Sequence, residues 1–247
     1  MELFTIVNVY SDKFIPVFIR VAVMLSFIPF LGAQTTPAMA RAGIALALTL
    51  LLMPVVNVQT ANPVRAIFEA VFVGAALGLC ARIILAAMET AGQWMSIEIG
   101  FGMAAIFNPM FSEQLGPLSF FYTFVTMGVF FIMGIHYYFI EGIARSFELT
   151  SLNYTGIFSS ILKLNTMLFP LAFKIAAPVM LVQMIVNITL GFFAKVLPQA
   201  NIFMVSVPLM IFLGLFFVTA SMPLAIIVIA KSFAHIKDAI MMFTGTR

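Results

Sequence analysis

The stretch NITLGFFAKVLPQANIFMVSVPLMIFLGL, Asn187 to Leu215, is largely apolar, with Lys195 its one charge and a polar break at Pro198, Gln199 and Asn201. Pro198 removes a backbone donor and ends a helix. Gln199 and Asn201 carry side chains able to bond the backbone groups that such a break exposes. Phe203 restarts the apolar run, and Pro208 and Gly214 fall inside it. The pattern predicts two helices joined by a tight polar tip. Everything from Val196 to Ala230 is uncharged, so the second arm of this hairpin offers no charged face to water.

The whole chain has the same character. Of 247 residues, 63% are hydrophobic and 9% charged, with a mean hydropathy of +1.16. Soluble domains carry about 25% charged residues, so this chain cannot clothe a globule in polar surface and is predicted to be an integral membrane protein. Its 12 basic and 9 acidic residues form no basic cluster, which leaves nucleic-acid binding without support. The opening MELFTIVNVYSDKF has no basic n-region, which argues against a cleaved signal peptide. A single cysteine, Cys80, rules out an internal disulfide framework and reads as a small core residue.

A membrane-spanning helix needs roughly 20 apolar residues. Six segments approach that, at about 14–31, 38–56, 66–88, 118–140, 170–194 and 202–230. Charges interrupt several of them, namely Arg20, Arg41, Glu69, Arg82, Glu89 and Lys174. Each charge at a bilayer centre costs about 2.5–3.5 kcal/mol, so such residues face protein or water. Several helices are therefore expected to bury polar faces against other chains or a pore. Residues 141–166 read as the one sizeable polar connection, and the C-terminus from Lys231 as an amphipathic tail with a weak cytoplasmic preference. GAALG, Gly74 to Gly78, is a small-xxx-small pattern for close helix packing.

No catalytic motif survives inspection. Neither HExxH nor GxSxG occurs, and His136 and His235 are the only histidines. GFGMAA, from Gly100, matches the dinucleotide fingerprint formally but lacks the strand and acidic residue that fingerprint needs. No metal ligand set and no cofactor are expected, and the chain does not read as an enzyme.

The Pro198-Gln199, Asn201, Phe203, Pro208 string resembles the FliR/SctT family of export-gate subunits in flagellar and injectisome type III secretion. The resemblance runs the length of the chain, through Arg20-Val21, Pro29, Gly32, Pro37, Arg41 and Pro54, then Glu69, Gly74, Gly78, Gly92, Gly100, Pro109, Lys174 and Pro178. NIFMVSVPL favours the flagellar branch. Asn108 stands where many members have aspartate, and Lys195 where arginine is common. The resemblance implies an all-α chain of membrane-associated hairpins, with residues 1–168 like the FliP subunit and residues 169–247 a FliQ-like hairpin with an amphipathic tail. It implies one copy in a helical assembly with about five copies of FliP and about four of FliQ, bound by FlhB and fed by FlhA. That assembly would stand in the bacterial inner membrane at the flagellar basal body and pass unfolded export substrates. Hairpins raised above the bilayer would make the six-span count an over-reading of hydropathy.

Within that frame IGFGMAAIFNPMFSEQLGP, Ile99 to Pro117, acquires a purpose. Its apolar, Gly- and Pro-broken composition suits a dewetted, deformable constriction. Ile106, Phe107, Met110 and Phe111 are expected to seal a channel, with Gly100, Gly102 and Gly116 as hinges and Pro109 and Pro117 limiting shape. Arg20, Arg41, Glu69 and Lys174 are expected at inter-subunit ion pairs, and Pro198 to Pro208 at a structural hairpin tip. The competing readings are an injectisome export subunit, a small secondary transporter or ion channel with Arg20, Glu69 and Lys174 at a midplane site, and an intramembrane enzyme.

Overall fold

The computed structural model describes residues 2–28, 36–58, 62–101, 116–148, 153–197, 199 and 202–243, with backbone alone for 2–12, 202–203, 238–239 and 241–243. The described elements are the α-helices α1 (Glu2–Phe27), α2 (Ala38–Leu52), α3 (Pro63–Ile99), α4 (Pro117–Ile132), α5 (Ile135–Arg145), α6 (Tyr154–Thr166), α7 (Leu168–Val196) and α8 (Ile202–Phe243). No strand occurs among the described residues. Among the described residues three runs are long and apolar enough to cross a membrane: α3, the stretch Tyr154–Val196 and the stretch Met204–Lys237. The chain is an all-α membrane protein.

Among the described residues the six expected segments give three spans, or four if a bent pair counts as one. At 15 residues, α2 is about 22 Å long, short of the roughly 30 Å of a hydrocarbon core. The uncharged run 118–140 breaks at Gly134, which adopts a left-handed conformation (φ +66°). It counts as a span only if α4 and α5 are taken together as a bent pair. The expected polar connection 141–166 is largely helical, because α5 continues to Arg145 and α6 fills Tyr154–Thr166. Hydropathy counts apolar residues and does not register a helix stop made by one glycine. Conversely, Pro178 lies inside α7, and Pro208 and Pro223 inside α8, since apolar helices tolerate proline when the freed backbone groups find other partners.

Local chemistry sets the helix starts. Asn62 Oδ1 accepts the Val64 N–H (3.0 Å), and Pro63 takes the first helical position, where a missing N–H costs nothing. At α6, Asn153 Oδ1 accepts the Gly156 N–H (2.9 Å). Inside the apolar helices, buried hydroxyls turn back on their own backbone: Thr49 donates to the Ala45 carbonyl, Thr123 to Ser119 and Thr126 to Tyr122.

The chain divides into two compact units, Met1–Ile84 with Gly134–Asn165 and Phe233–Arg247, and Leu85–Met133 with Thr166–Ser232. In the first, α1 lies on α2 and meets α3 at the two glycines of GAALG. A Cβ on Gly74 would stand 2.5 Å from the Arg20 carbonyl, and one on Gly78 2.8 Å from Phe27 Cβ. The small-xxx-small pattern is thus a site of close helix approach. Val17, Val21, Leu77, Phe139, Phe233 and Ile236 fill the core between these elements, each worth about 1.5–3 kcal/mol of burial.

The second unit contains the hairpin read from the sequence. The Gln183 side-chain amide, fully buried on α7, donates to the Met210 carbonyl of α8 (2.7 Å). Gly214 admits this contact, because a Cβ there would overlap Ile99 Cγ1 and stand 2.6 Å from Gln183 Nε2. Against the last turns of α3 lies the start of α4. A Cβ on Gly92 would meet Ser119 Cα at 2.5 Å and the Leu118 carbonyl at 2.6 Å.

Candidate functional site

The sealing residues expected from the sequence, Ile106, Phe107, Met110 and Phe111, lie outside the described residues, as do Gly102 and Pro109. The ends of their segment are described, and both are built on α3. Gly100 stops that helix in the left-handed region (φ +98°) with no atom near a would-be Cβ. Its N–H bonds the Ile97 carbonyl (3.0 Å) and the Phe101 N–H bonds that of Ser96 (2.9 Å). This is the paired bonding of a Schellman cap, where glycine avoids the cost of a left-handed side chain. Gly116 opens α4 with Pro117 at its first position. The Gly116 N–H donates to Gln93 Oε1 (2.8 Å) and the Leu118 N–H to Ser96 Oγ (3.2 Å). A Cβ on Gly116 would stand 2.6 Å from Ser96 Oγ, so this glycine also serves close packing.

At the hairpin tip, Gln199 is an exposed turn residue and Pro208 is exposed within α8. Pro198 and Asn201 lie outside the described residues, and of Phe203 only the helical backbone is described. α7 ends at Val196 and α8 begins at Ile202, bracketing the polar break from which the hairpin was expected.

Of the charged residues, Arg20 feels the carboxylate of Glu69 within the first unit. Arg20 is 2% exposed. Its Nη1 donates to Ser146 Oγ (2.6 Å), its guanidinium lies 3.6 Å from the Phe147 ring centroid, and its Nε is buried with no partner. Glu69 accepts from Arg65 Nε (2.8 Å) and from the Tyr154 hydroxyl (3.3 Å), and Tyr154 stands edge-on to Phe72. Arg41 is half-buried on α2, and Lys174 is exposed on α7. Among the described residues no group of three His, Cys, Asp or Glu side chains could hold a metal ion. An open groove of about 220 Å³ beside Trp94 and Phe173 falls below the roughly 300–1,000 Å³ of ordinary small-molecule sites.

Gln93, Ser96 and Gln183 carry these contacts, and none stands out in a scan for charges, prolines and glycines. A usable signal is their polarity inside apolar helices. Glu89, Gln93 and Ser96 recur at helical spacing beside Gly92, which puts a polar stripe on one face.

The family model for bacterial export proteins, family 1, matches residues 12–236. The flagellar biosynthetic protein FliR of Bacillus subtilis is 28% identical over 237 residues, covering 90% of both chains. The FliR of Aquifex aeolicus is 29% identical over 227 residues, 87% of both chains. That of Escherichia coli K12 is 23% identical over 216 residues, 83% of this chain and 82% of the relative. The chain belongs to the bacterial export proteins, family 1, on the flagellar FliR side of that family.

Proposed function

We infer that the chain is a non-catalytic subunit of the flagellar protein-export gate, embedded in the bacterial inner membrane at the basal body. The observation that carries this reading is the family match over residues 12–236, with relatives named as flagellar biosynthetic proteins. Its supporting structural feature is the large apolar surface of α7 and α8, which an export assembly or lipid would cover. In this reading residues 1–168 take the place of a FliP subunit and residues 169–247 form a FliQ-like hairpin. One copy completes a channel with about five FliP and four FliQ, with FlhB against the hairpin tip at Gln199 and Asn201 and FlhA delivering unfolded flagellar subunits. Ile106, Phe107, Met110 and Phe111 seal the idle channel, since apolar side chains exclude water and ions yet deform for a passing chain. Arg41 and Lys174 are offered to neighbouring subunits.

A deletion strain tests the assignment. Loss of motility together with loss of hook-protein secretion, both restored by the gene in trans, is the expected result. Intact motility with loss of effector secretion overturns the flagellar reading in favour of the injectisome.

A further inference from the structure

One carboxylate of the second unit is left unanswered. Glu98 lies in the last turn of α3, which holds no basic residue, and the negative end of a helix disfavours an acid there. Among the described residues no hydrogen bond or ion pair reaches its carboxylate, and Lys174, the exposed neighbour of Phe173 in the chain, does not pair with it. Glu98 instead borders the open groove of about 220 Å³ between α3 and α7, whose other walls are Trp94, Ile97, Phe173 and Met180. Trp94, Ile97 and Glu98 share one face of α3, at spacings of three and four, and Phe173 and Met180 share one face of α7 at a spacing of seven. Phe169, one turn before Phe173, stacks on Trp94 with ring centroids 6.5 Å apart and planes 19° apart, which holds the indole in place as a wall. Ile97 is 55% exposed and Phe173 57%, so apolar walls face outward with one charge among them.

We propose that this groove receives a helix of a neighbouring subunit, which inserts an apolar side chain between Trp94 and Phe173 and lays an arginine against Glu98. The proposal deepens the export-assembly reading given above and rests on it. Three features select a cation: the carboxylate, the negative end of α3 and the indole ring. An arginine answers all three at once, because its planar fork bonds a carboxylate through two N–H donors and its flat face stacks on an aromatic ring. A lysine supplies the charge without the fork. Lipid is the poorer occupant. Acyl chains suit the apolar walls but leave the carboxylate facing hydrocarbon, and anionic headgroups repel it. The groove is too small for an ordinary small-molecule site, and its open side admits the side chains of a second helix.

The experiment replaces Phe173 by the photo-cross-linker benzoylphenylalanine in the full chain, within flagellated membranes, and reads the joined peptide by mass spectrometry after gentle extraction. The same probe at Ile97 serves if the Phe173 variant does not assemble. The expected product joins this chain to an apolar helix of another subunit, with an arginine within one turn of the joined residue. Glu98→Gln, which keeps the shape and removes the charge, should lower the cross-link about threefold, and Glu98→Lys about tenfold. Changing that arginine to glutamate in the Glu98→Lys background should bring the cross-link back to within about twofold of wild type. A merely structural Glu98 would not respond to a change in another chain. Should Glu98→Lys fail to assemble, Glu98→Gln combined with arginine to glutamine decides, since the pair should lower the cross-link no further than either change alone. Additive losses, or a cross-link indifferent to both Glu98 variants, overturn the proposal. So does a cross-link to lipid, to a second copy of this chain, to this chain itself or to a helix without a basic residue, each of which leaves the assembly reading standing. A wild-type chain extracted free of other proteins overturns the assembly reading and the proposal together.

Discussion

A guanidinium enclosed by hydrocarbon needs its charge answered, and Arg20 is answered within its own unit by Ser146, the face of Phe147 and the field of the Glu69 carboxylate. The answer is incomplete, since Nε is buried without a partner. Replacing a buried charge by an apolar side chain of similar volume is often neutral, whereas keeping the charge and spoiling its geometry is costly. Arg20→Met therefore removes both the charge and the unmet donor, and Ser146 keeps its own bond to the Ile143 carbonyl. Arg20→Lys keeps a charge without the planar fork that stacks on Phe147. Melting curves of the purified protein should rank wild type and Arg20→Met close together, with Arg20→Lys lower by about 3 kcal/mol. A Met variant less stable than the Lys variant refutes this account. The charge itself was legible in the sequence, where it interrupts an apolar run. Its partner was not, because Ser146 lies 126 positions away and nothing local marks it.

At the level of elements, the α7–α8 hairpin was readable because its signal is local: a Pro-led polar break between two apolar runs. What fixes the arms against each other is not local, since it joins Gln183 of α7 to Met210 and to the bare face of Gly214 on α8. The break between α4 and α5 was hidden for the same reason. Gly134 sits in an uncharged run, glycine is common in membrane helices, and only packing decides which glycine turns left-handed. Gly214 also meets the last residue of α3, Ile99, and that contact yields a coupled prediction. Gly214→Ala forces a methyl into Ile99 and should destabilise by about 1–3 kcal/mol. Ile99→Ala, at a fully buried position, should cost about 2–5 kcal/mol alone. The double variant should cost less than the sum, because the vacated Ile99 volume receives the new methyl. Additive unfolding free energies would show that the two residues do not press on each other.

For the molecule as a whole, the decisive quantity is the apolar surface that the chain leaves uncovered. Of the most apolar stretch of each long helix, 61% is buried in α3 but only 22% in Tyr154–Val196 and in Met204–Lys237. Phe169, Phe173, Leu181 and Ile185 of α7 are all exposed, an apolar surface that water does not favour. Lipid alone would suit the hydrocarbon but not Lys174, exposed on the same helix beside Phe173, since a charge facing lipid at depth costs about 2.5–3.5 kcal/mol. A protein neighbour that brings both apolar side chains and a carboxylate satisfies both demands. The chain extracted gently from flagellated membranes should therefore run in native mass spectrometry as one copy inside a hetero-oligomer many times its own 27.1 kDa. Lys174→Glu, which reverses the charge and keeps a polar side chain, should lower the yield of that complex by about tenfold, the effect of roughly 1.4 kcal/mol at one interface. Recovery of a stable free monomer or homodimer from wild-type membranes would instead mean that lipid covers these helices, and the chain would then work alone, as a small transporter does.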